Sequence, residues 1–183
     1  ANPDSGATFA ELYTSKGTPI IYFDFEWQPF KSLGRVGIKA GSGFFFASGH
    51  GRFEDPTRTE IPREKFTFLM LPNSVALTYK PQYFRNQFFV PYGEAGLGYY
   101  VMGEFRDDGK PPLGKWAGAA TAHFAVGGLL LLDFLDKYAI FNLDREYGIN
   151  HVYLTGEFRH LIGLNKALDL TTDIISFGIT VDY

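Results

Sequence analysis

Apolar and polar side chains alternate with a period of two residues in seven separate segments of this chain. The alternating segments are residues 19–28, 35–47, 66–80, 89–104, 121–132, 151–160 and 175–183. Successive side chains of a β-strand point to opposite faces of its sheet, so this period places the apolar groups on one face and the polar groups on the other. The pattern therefore predicts seven β-strands, each with one apolar and one polar face.

A different pattern interrupts the strands between residues 133 and 148. Apolar side chains recur there near helical spacing, and Asp133 or Asp136 is suited to cap the first turn. Gly148 stands where helices commonly end on a glycine. We therefore expect a short helix between the fifth and sixth of these seven segments, which become the sixth and seventh strands if a further strand precedes residue 19.

The apolar faces of the strands could line the inside of a soluble barrel or face lipid, and side-chain volume decides between these arrangements. Hydrophobic residues make up 45% of the chain and aromatic residues 17%, whereas a small barrel encloses room for only a modest packed filling. The opposite faces combine glycines with charged residues, which suits a narrow polar lumen. The pattern thus predicts a membrane barrel whose apolar faces point toward lipid.

Strand number and loop length complete the expected topology. Bacterial outer-membrane barrels have an even number of strands, and residues 8–14 are the candidate for the additional strand at the start of the chain. The long charged connections at residues 48–64 and 106–118 are then expected outside the cell, and the helix on the periplasmic side. The predicted fold is all-β, an eight-stranded antiparallel transmembrane β-barrel with a short periplasmic helix, in a single domain of residues 1–183.

Two segments resemble a known family. Residues 89–100 (FVPYGEAGLGYY) and 177–183 (FGITVDY) are similar to strands of small bacterial outer-membrane barrels of the OmpA/OmpW-like kind. Residues 132–154 further resemble a poorly characterised subgroup of these barrels, and the similarity as a whole covers residues 9–183. The resemblance implies an outer-membrane location and assembly by the barrel-assembly machinery, which recognises the C-terminal strand. That strand ends here on Tyr183, where the family more commonly has Phe.

The polar faces carry the candidate site, a network of charged and polar side chains expected in the lumen. Its members are Asp24, Glu26, Lys39, Glu94, Glu104, His123, His151, Glu157 and Arg159. Asp24 and Glu26 lie about 7 Å apart along one strand, and paired carboxylates can perform acid and base catalysis. A narrow barrel must also pair its interior charges, for which Lys39 and Arg159 are available. We therefore interpret the network as a plug and expect no catalytic residue.

The histidines do not indicate a metal site. The chain has four of them, His50, His123, His151 and His160. None has the close spacing of zinc ligands, and the chain contains no cysteine. For His123 and His151, which share the polar face, we expect ordinary hydrogen bonds to Glu157 or Tyr153. The sequence thus indicates neither a metal nor a cofactor.

Aromatic residues near the predicted strand ends suggest contact with the membrane interface. They are Trp27, Tyr79, Tyr99 and Tyr183. Tyrosine and tryptophan are enriched where hydrocarbon meets lipid headgroups, so we expect these four to form an aromatic girdle.

A net charge of −3 gives no basic face for nucleic acid, and we expect no nucleic-acid partner.

Several function classes remain open from the sequence. The first is a non-enzymatic structural or interaction barrel, with outer-membrane lipid and lipopolysaccharide as partners and an extracellular partner at loops 48–64 and 106–118. The second is a narrow channel for small polar or cationic solutes. A lipid A-modifying enzyme is a weaker alternative because no serine closely follows His160, and a soluble ligand-carrying barrel requires the opposite orientation of the faces.

Overall fold

A computed structural model describes residues 19–32, 34–50, 65–84, 87–106, 114–135, 137–165 and 170–183. Within these ranges the chain forms one antiparallel sheet of seven strands and one helix. The elements are β1 (Ile21–Phe30), β2 (Arg35–His50), β3 (Lys65–Lys80), β4 (Phe89–Arg106), β5 (Gly114–Leu131), α1 (Lys137–Tyr147), β6 (His151–Gly163) and β7 (Thr172–Asp182). The seven strands and the helix expected from the periodicity are all confirmed.

The strands follow one another in the sheet in the order of the sequence, from β1 to β7. The antiparallel register pairs Gly127 with Glu157 between β5 and β6, and Leu154 with Ile179 between β6 and β7. In the described part of the chain, β1 and β7 are therefore the two edges of the sheet. The predicted eighth strand, residues 8–14, lies outside the described residues.

The start of β5 differs from the prediction. The strand begins at Gly114, seven residues before the predicted start at residue 121. The sequence did not indicate this part of the strand, because the alanines and glycine at positions 117–120 provide no alternation of bulky apolar and polar side chains. Residues 114–118 are consequently strand and not part of the predicted loop 106–118. Likewise, residues 48–50 of the predicted loop 48–64 belong to β2. The remaining parts of both loops, 51–64 and 107–113, lie outside the described residues.

The helix ends at the predicted glycine and begins at Lys137, which directly follows Asp136, one of the two predicted caps. Gly148 adopts a φ of +70°, which favours glycine. Its N–H donates to the Asp144 carbonyl at 3.0 Å, so the last turn is closed. The expected cap at Asp133 is wrong, because this carboxylate instead accepts a hydrogen bond from Val152 N at 3.0 Å and lies 2.6 Å from His151 Nδ1. The other candidate cap, Asp136, lies outside the described residues.

The chain divides into two compact units, and each buries a different kind of side chain. Unit 1 comprises residues 1–23, 41–73 and 99–119, and unit 2 comprises residues 24–40, 74–98 and 120–183. Among its described residues, unit 1 buries Ala47, Tyr100, Met102 and Ala119. Unit 2 contains α1, β6 and β7, and it buries most of the charged side chains described below.

Candidate functional site

Unit 2 has charged side chains inside and apolar side chains outside. Its buried polar residues are Lys39, Thr78, Lys80, Glu94, Thr121, His123, Glu157 and Arg159. Its exposed apolar residues include Phe25, Val75, Leu77, Leu97, Phe124, Val126, Ile175, Phe177 and Ile179. Leu97 is 65% exposed and Phe177 is 81% exposed, although both lie in the middle of strands. Water-soluble proteins have the opposite arrangement, with most charged side chains at the surface and most large apolar side chains inside.

The sheet of unit 2 curls, which brings the polar faces of distant strands together. Strands β2 and β6 are four positions apart in the sheet, a separation of about 19 Å in a flat sheet. Nevertheless, Lys39 Nζ on β2 lies 3.4 Å from Glu157 Oε2 on β6. Similarly, Arg35 Nη1 on β2 donates to Asp182 Oδ2 on β7 at 2.6 Å. The polar faces of β2, β6 and β7 therefore meet within unit 2.

The centre of this concave side holds a group of seven side chains that we term the interior charge cluster. Its members are Asp24, Lys39, Tyr92, Glu94, His123, Glu157 and Arg159. Lys39 lies at its middle and contacts carboxylates from three strands: Glu94 Oε2, Glu157 Oε2 at 3.4 Å and Asp24 Oδ2 at 3.9 Å. The lysine side chain is only 9% exposed, so these carboxylates replace the water that would otherwise solvate its charge.

The carboxylates of Glu94 and Glu157 are held by further partners. Arg159 donates to both, from Nη2 to Glu94 Oε1 at 3.1 Å and from Nε to Glu157 Oε1 at 3.0 Å. His123 Nε2 lies 3.2 Å from Glu94 Oε1. The Tyr92 hydroxyl donates to Glu157 Oε2 at 2.7 Å. Each buried carboxylate thus meets charged and neutral partners, as a low-dielectric environment requires.

A second set of contacts, the turn-end polar group, lies on the same side toward the ends of β1 and β3. Its members are Glu26, Gln28, Arg35, Thr78, Lys80 and Asp182. Glu26 accepts hydrogen bonds from Lys80 Nζ at 2.7 Å and from Thr78 Oγ1 at 2.7 Å. Gln28 donates to Glu26 at 3.1 Å and accepts from Arg35 at 3.2 Å. Glu26 therefore belongs to a different set of ion pairs from Asp24, two residues before it.

An apolar layer accompanies these polar groups. Val90, Leu129, Leu131 and Tyr153 are buried together with the ring of Tyr92. They occupy the same faces of β4, β5 and β6 as the interior charge cluster, but lie nearer the end of the sheet where α1 follows β5. The concave side of unit 2 thus carries the interior charge cluster at one level, and the apolar layer together with the turn-end polar group toward the end where α1 follows β5.

The remaining predicted network residues lie elsewhere. Glu104 is half-buried on β4 in unit 1. His151 lies at the start of β6, where its hydrogen bond goes to Asp133 and not to Glu157 or Tyr153; its ring meets the Tyr153 ring edge-on at 6.1 Å. For His123 the expected partner is also wrong, because this side chain contacts Glu94.

The four predicted girdle residues are all exposed, but they do not all lie near strand ends. Trp27 and Tyr79 are near the ends of β1 and β3, and Tyr183 directly follows β7. Tyr99 is the eleventh residue of the 18-residue β4 and lies in its middle. Its hydroxyl lies where a Cβ on Gly118 would be, so the ring covers a glycine of the neighbouring strand.

Sequence reasoning missed several members of these contacts. Tyr92, Thr78, Lys80, Arg35 and Asp182 were not predicted as network residues, although each has the parity of the polar face. That parity is the signal that could have identified them. Asp133, the partner of His151, lies outside any strand, and no periodic signal marks it.

Gly127 supplies the space in which Tyr92 lies. A Cβ at this position would lie 2.6 Å from the Tyr92 ring and 2.6 Å from the Gly156 carbonyl. We expect Gly127→Ala to destabilise the protein by about 1–3 kcal/mol, because both backbone and ring must shift. Denaturant unfolding of the reconstituted protein measures this loss.

The matched control for this substitution is Gly178→Ala on β7. A Cβ at Gly178 meets no atom within 4 Å, so its free energy of unfolding should change little. Equal losses for the two variants would contradict the packing of Tyr92 against Gly127.

Comparisons of the chain with protein-family models, with curated proteins and with solved structures find no match. A search of the described residues for a helix that could cross a bilayer finds none. In the same part of the chain, no group of three or more His, Cys, Asp or Glu side chains is arranged to hold a metal ion. The geometry of unit 2 shows a set of charged side chains on the concave side that are paired with one another.

Proposed function

We propose that this chain is an integral outer-membrane β-barrel with a non-enzymatic, structural or surface-interaction role and a largely plugged lumen. The observation that carries the proposal is the inverted polarity of unit 2, with charges buried and aromatic and aliphatic side chains exposed in the middle of strands. An apolar surface of this kind is unfavourable in water but matches the hydrocarbon of a bilayer. The resemblance of residues 89–100 and 177–183 to strands of OmpA/OmpW-like barrels supports the same assignment.

Closure of the barrel is part of this proposal. The edge strands β1 and β7 would otherwise present unpaired backbone N–H and C=O groups to lipid, at a cost of several kcal/mol each. Residues 8–14, paired with the free edges, would give the even strand count of bacterial outer-membrane barrels. The short connections and α1 would then face the periplasm, and residues 51–64 and 107–113, the parts of the two predicted loops that lie outside the strands, would be available to an extracellular partner.

The filled concave side favours a plugged lumen over a channel. The interior charge cluster joins β1, β2, β4, β5 and β6 through direct contacts, and the apolar layer lies next to it. A narrow path for cations is the second candidate, favoured by three carboxylates in the cluster, Asp24, Glu94 and Glu157, against the two permanent cations Lys39 and Arg159. Lipid and lipopolysaccharide remain the proposed partners of the outer surface. The barrel-assembly machinery remains the proposed partner of the C-terminal strand.

Dependence on an amphiphile tests the membrane assignment. We expect the folded protein to stay monodisperse only in detergent or lipid, and to migrate faster on a detergent gel when unheated than after boiling, because the closed barrel resists denaturation by the detergent. A monodisperse folded protein in plain buffer, with no heat-dependent shift, would indicate a soluble fold and refute the proposal.

Single-channel recording separates the plugged barrel from the channel. Protein folded in detergent and inserted into a planar bilayer in concentrated KCl should give no current above the lipid background. A 16-stranded general porin, inserted under the same conditions, serves as the positive control. Steady cation-selective openings would replace the plugged interpretation by the channel, while leaving the barrel assignment intact.

A further inference from the structure

Exposed aromatic side chains gather at the end of unit 2 where α1 lies. We term this group the aromatic foot; its members are Tyr83, Phe84, Phe88, Phe134, Leu135 and Phe141. All six are exposed, Phe84 at 73% and Leu135 at 69%. None of them lies in a strand, so the alternation that explains the outer faces of the strands does not account for them.

The foot is built from two chain segments that contact each other. Tyr83, Phe84 and Phe88 belong to the connection between β3 and β4, and the others follow β5. The N–H of Leu131 donates to the Phe88 carbonyl at 2.8 Å. The rings of Phe88 and Phe134 lie 5.8 Å apart. The two connections thus meet at Phe88 and Phe134, and each of the other four members lies within seven residues of one of these two in the sequence.

The foot continues the exposed apolar side of the strands. Phe88 is followed by Phe89, the first residue of β4, whose ring lies 2.5 Å from the position of a Cβ on Gly128 of β5 and which is itself 54% exposed. Farther along the same faces lie Leu97 and Phe124, also exposed. Among the described residues, the exposed apolar side chains of β4 and β5 are therefore followed by those of the foot.

The residues in and around the foot indicate which layer of the membrane it can occupy. It consists of aromatic rings and one leucine, but α1 also exposes Asp144, Arg145 and Glu146. Charges so close to the foot are incompatible with burial in hydrocarbon. Aromatic rings beside charged groups are instead characteristic of segments in the interfacial layer, where rings sit among headgroups and charges reach water.

We infer that the aromatic foot lies in the interfacial layer of the bilayer and holds α1 along the membrane surface. This inference rests on the proposed membrane function. The partner is the lipid headgroup region itself, which the foot enters to the depth of its rings. Ile140 and Leu143, which lie about 100° and 160° around the axis of α1 from Phe141, are both partly buried.

Depth-dependent fluorescence quenching tests this placement. Trp27 and Trp116 are the two tryptophans of the chain; with both changed to Phe, Phe141→Trp and Leu135→Trp report on two positions of the foot. Glu146→Trp is the control on the same helix, about 140° around the axis from position 141. Phe177→Trp reports on the middle of β7. Each variant is reconstituted in phosphatidylcholine vesicles, and its heat-dependent gel shift verifies folding.

Spin-labelled lipids with the label near the headgroup or deep in the chain, and aqueous iodide, distinguish the outcomes. We expect the Phe141→Trp and Leu135→Trp variants to be quenched several-fold more by the shallow label than by the deep one. They should also be quenched several-fold less by iodide than the Glu146→Trp variant. The Phe177→Trp variant should respond mainly to the deep label.

The experiment distinguishes failure of the interfacial placement of the foot from failure of the proposed membrane function. If both foot variants are as accessible to iodide as the Glu146→Trp variant while the Phe177→Trp variant responds to the deep label, the foot is in water and the inference is wrong, although the barrel remains in the membrane. Foot variants quenched mainly by the deep label would equally overturn the interfacial placement. A Phe177→Trp variant that no lipid label quenches would refute the membrane function itself.

Discussion

Replacing Lys39 by methionine is expected to lower the free energy of unfolding by about 3–5 kcal/mol, the cost of removing one partner from a buried ion pair. The lysine contacts Asp24, Glu94 and Glu157 and is only 8% exposed. Methionine keeps most of the side-chain volume but no charge, so three carboxylates would be left with Arg159 as their only permanent cation in the cluster. Equilibrium denaturant unfolding in lipid vesicles measures the change.

Lys115→Met is the matched control, because Lys115 lies on β5 and is exposed. We expect it to change the free energy of unfolding by less than about 0.5 kcal/mol. Combining Lys39→Met with Glu94→Gln should recover part of the loss, since the 0% exposed Glu94 carboxylate would then need no cation. Equal effects at positions 39 and 115, or full additivity in the double variant, would contradict the central role of Lys39.

Placing a charge on the outer face should distinguish lipid from water as its surroundings. Leu97 is 65% exposed in the middle of β4. Leu97→Lys is expected to destabilise the folded protein by about 2–4 kcal/mol if this face meets the centre of the bilayer. In a water-soluble protein, the same change at so exposed a position would cost little or improve solubility. Vesicle-based unfolding and the yield of the unheated fast-migrating gel band measure the effect.

The control for this charge is Leu164→Lys. Leu164 has a similar exposure of 55% but follows the end of β6, where a charge on a membrane barrel costs about 0–1 kcal/mol. A large loss at position 97 with a small loss at position 164 is the expected result. Negligible losses at both positions would show that the outer face of unit 2 is not in hydrocarbon.

The alternating segments determined most of the architecture. A period of two residues needs no knowledge of the neighbouring strands, so the seven strands and the apolar outer face followed from the sequence alone. β5 shows the limit of this signal: its first residues are mainly Ala and Gly, which pack equally well on either face. The C-terminal glycine of α1 was predictable because only a positive φ closes that turn cheaply.

The same parity identified the side chains of the concave side but not their partners. Asp24 and Glu26 lie two residues apart on one face, yet Asp24 contacts Lys39 and Glu26 contacts Lys80. Strand register and the curl of unit 2 decide which pairs meet, because they set distances between residues far apart in sequence. The partner of His151 shows this most clearly, since Asp133 lies in a turn that no periodicity describes.

The sequence by itself determined which side chains lie on each face of each strand, because backbone geometry makes side chains alternate wherever a strand forms. Only the tertiary structure decided that the charged faces of β2, β4 and β6 meet around Lys39, and that the rings of Phe88 and Phe134 from two separate connections pack together. Such contacts depend on how strongly the sheet curls, and that curvature results from the packing of all the strands together.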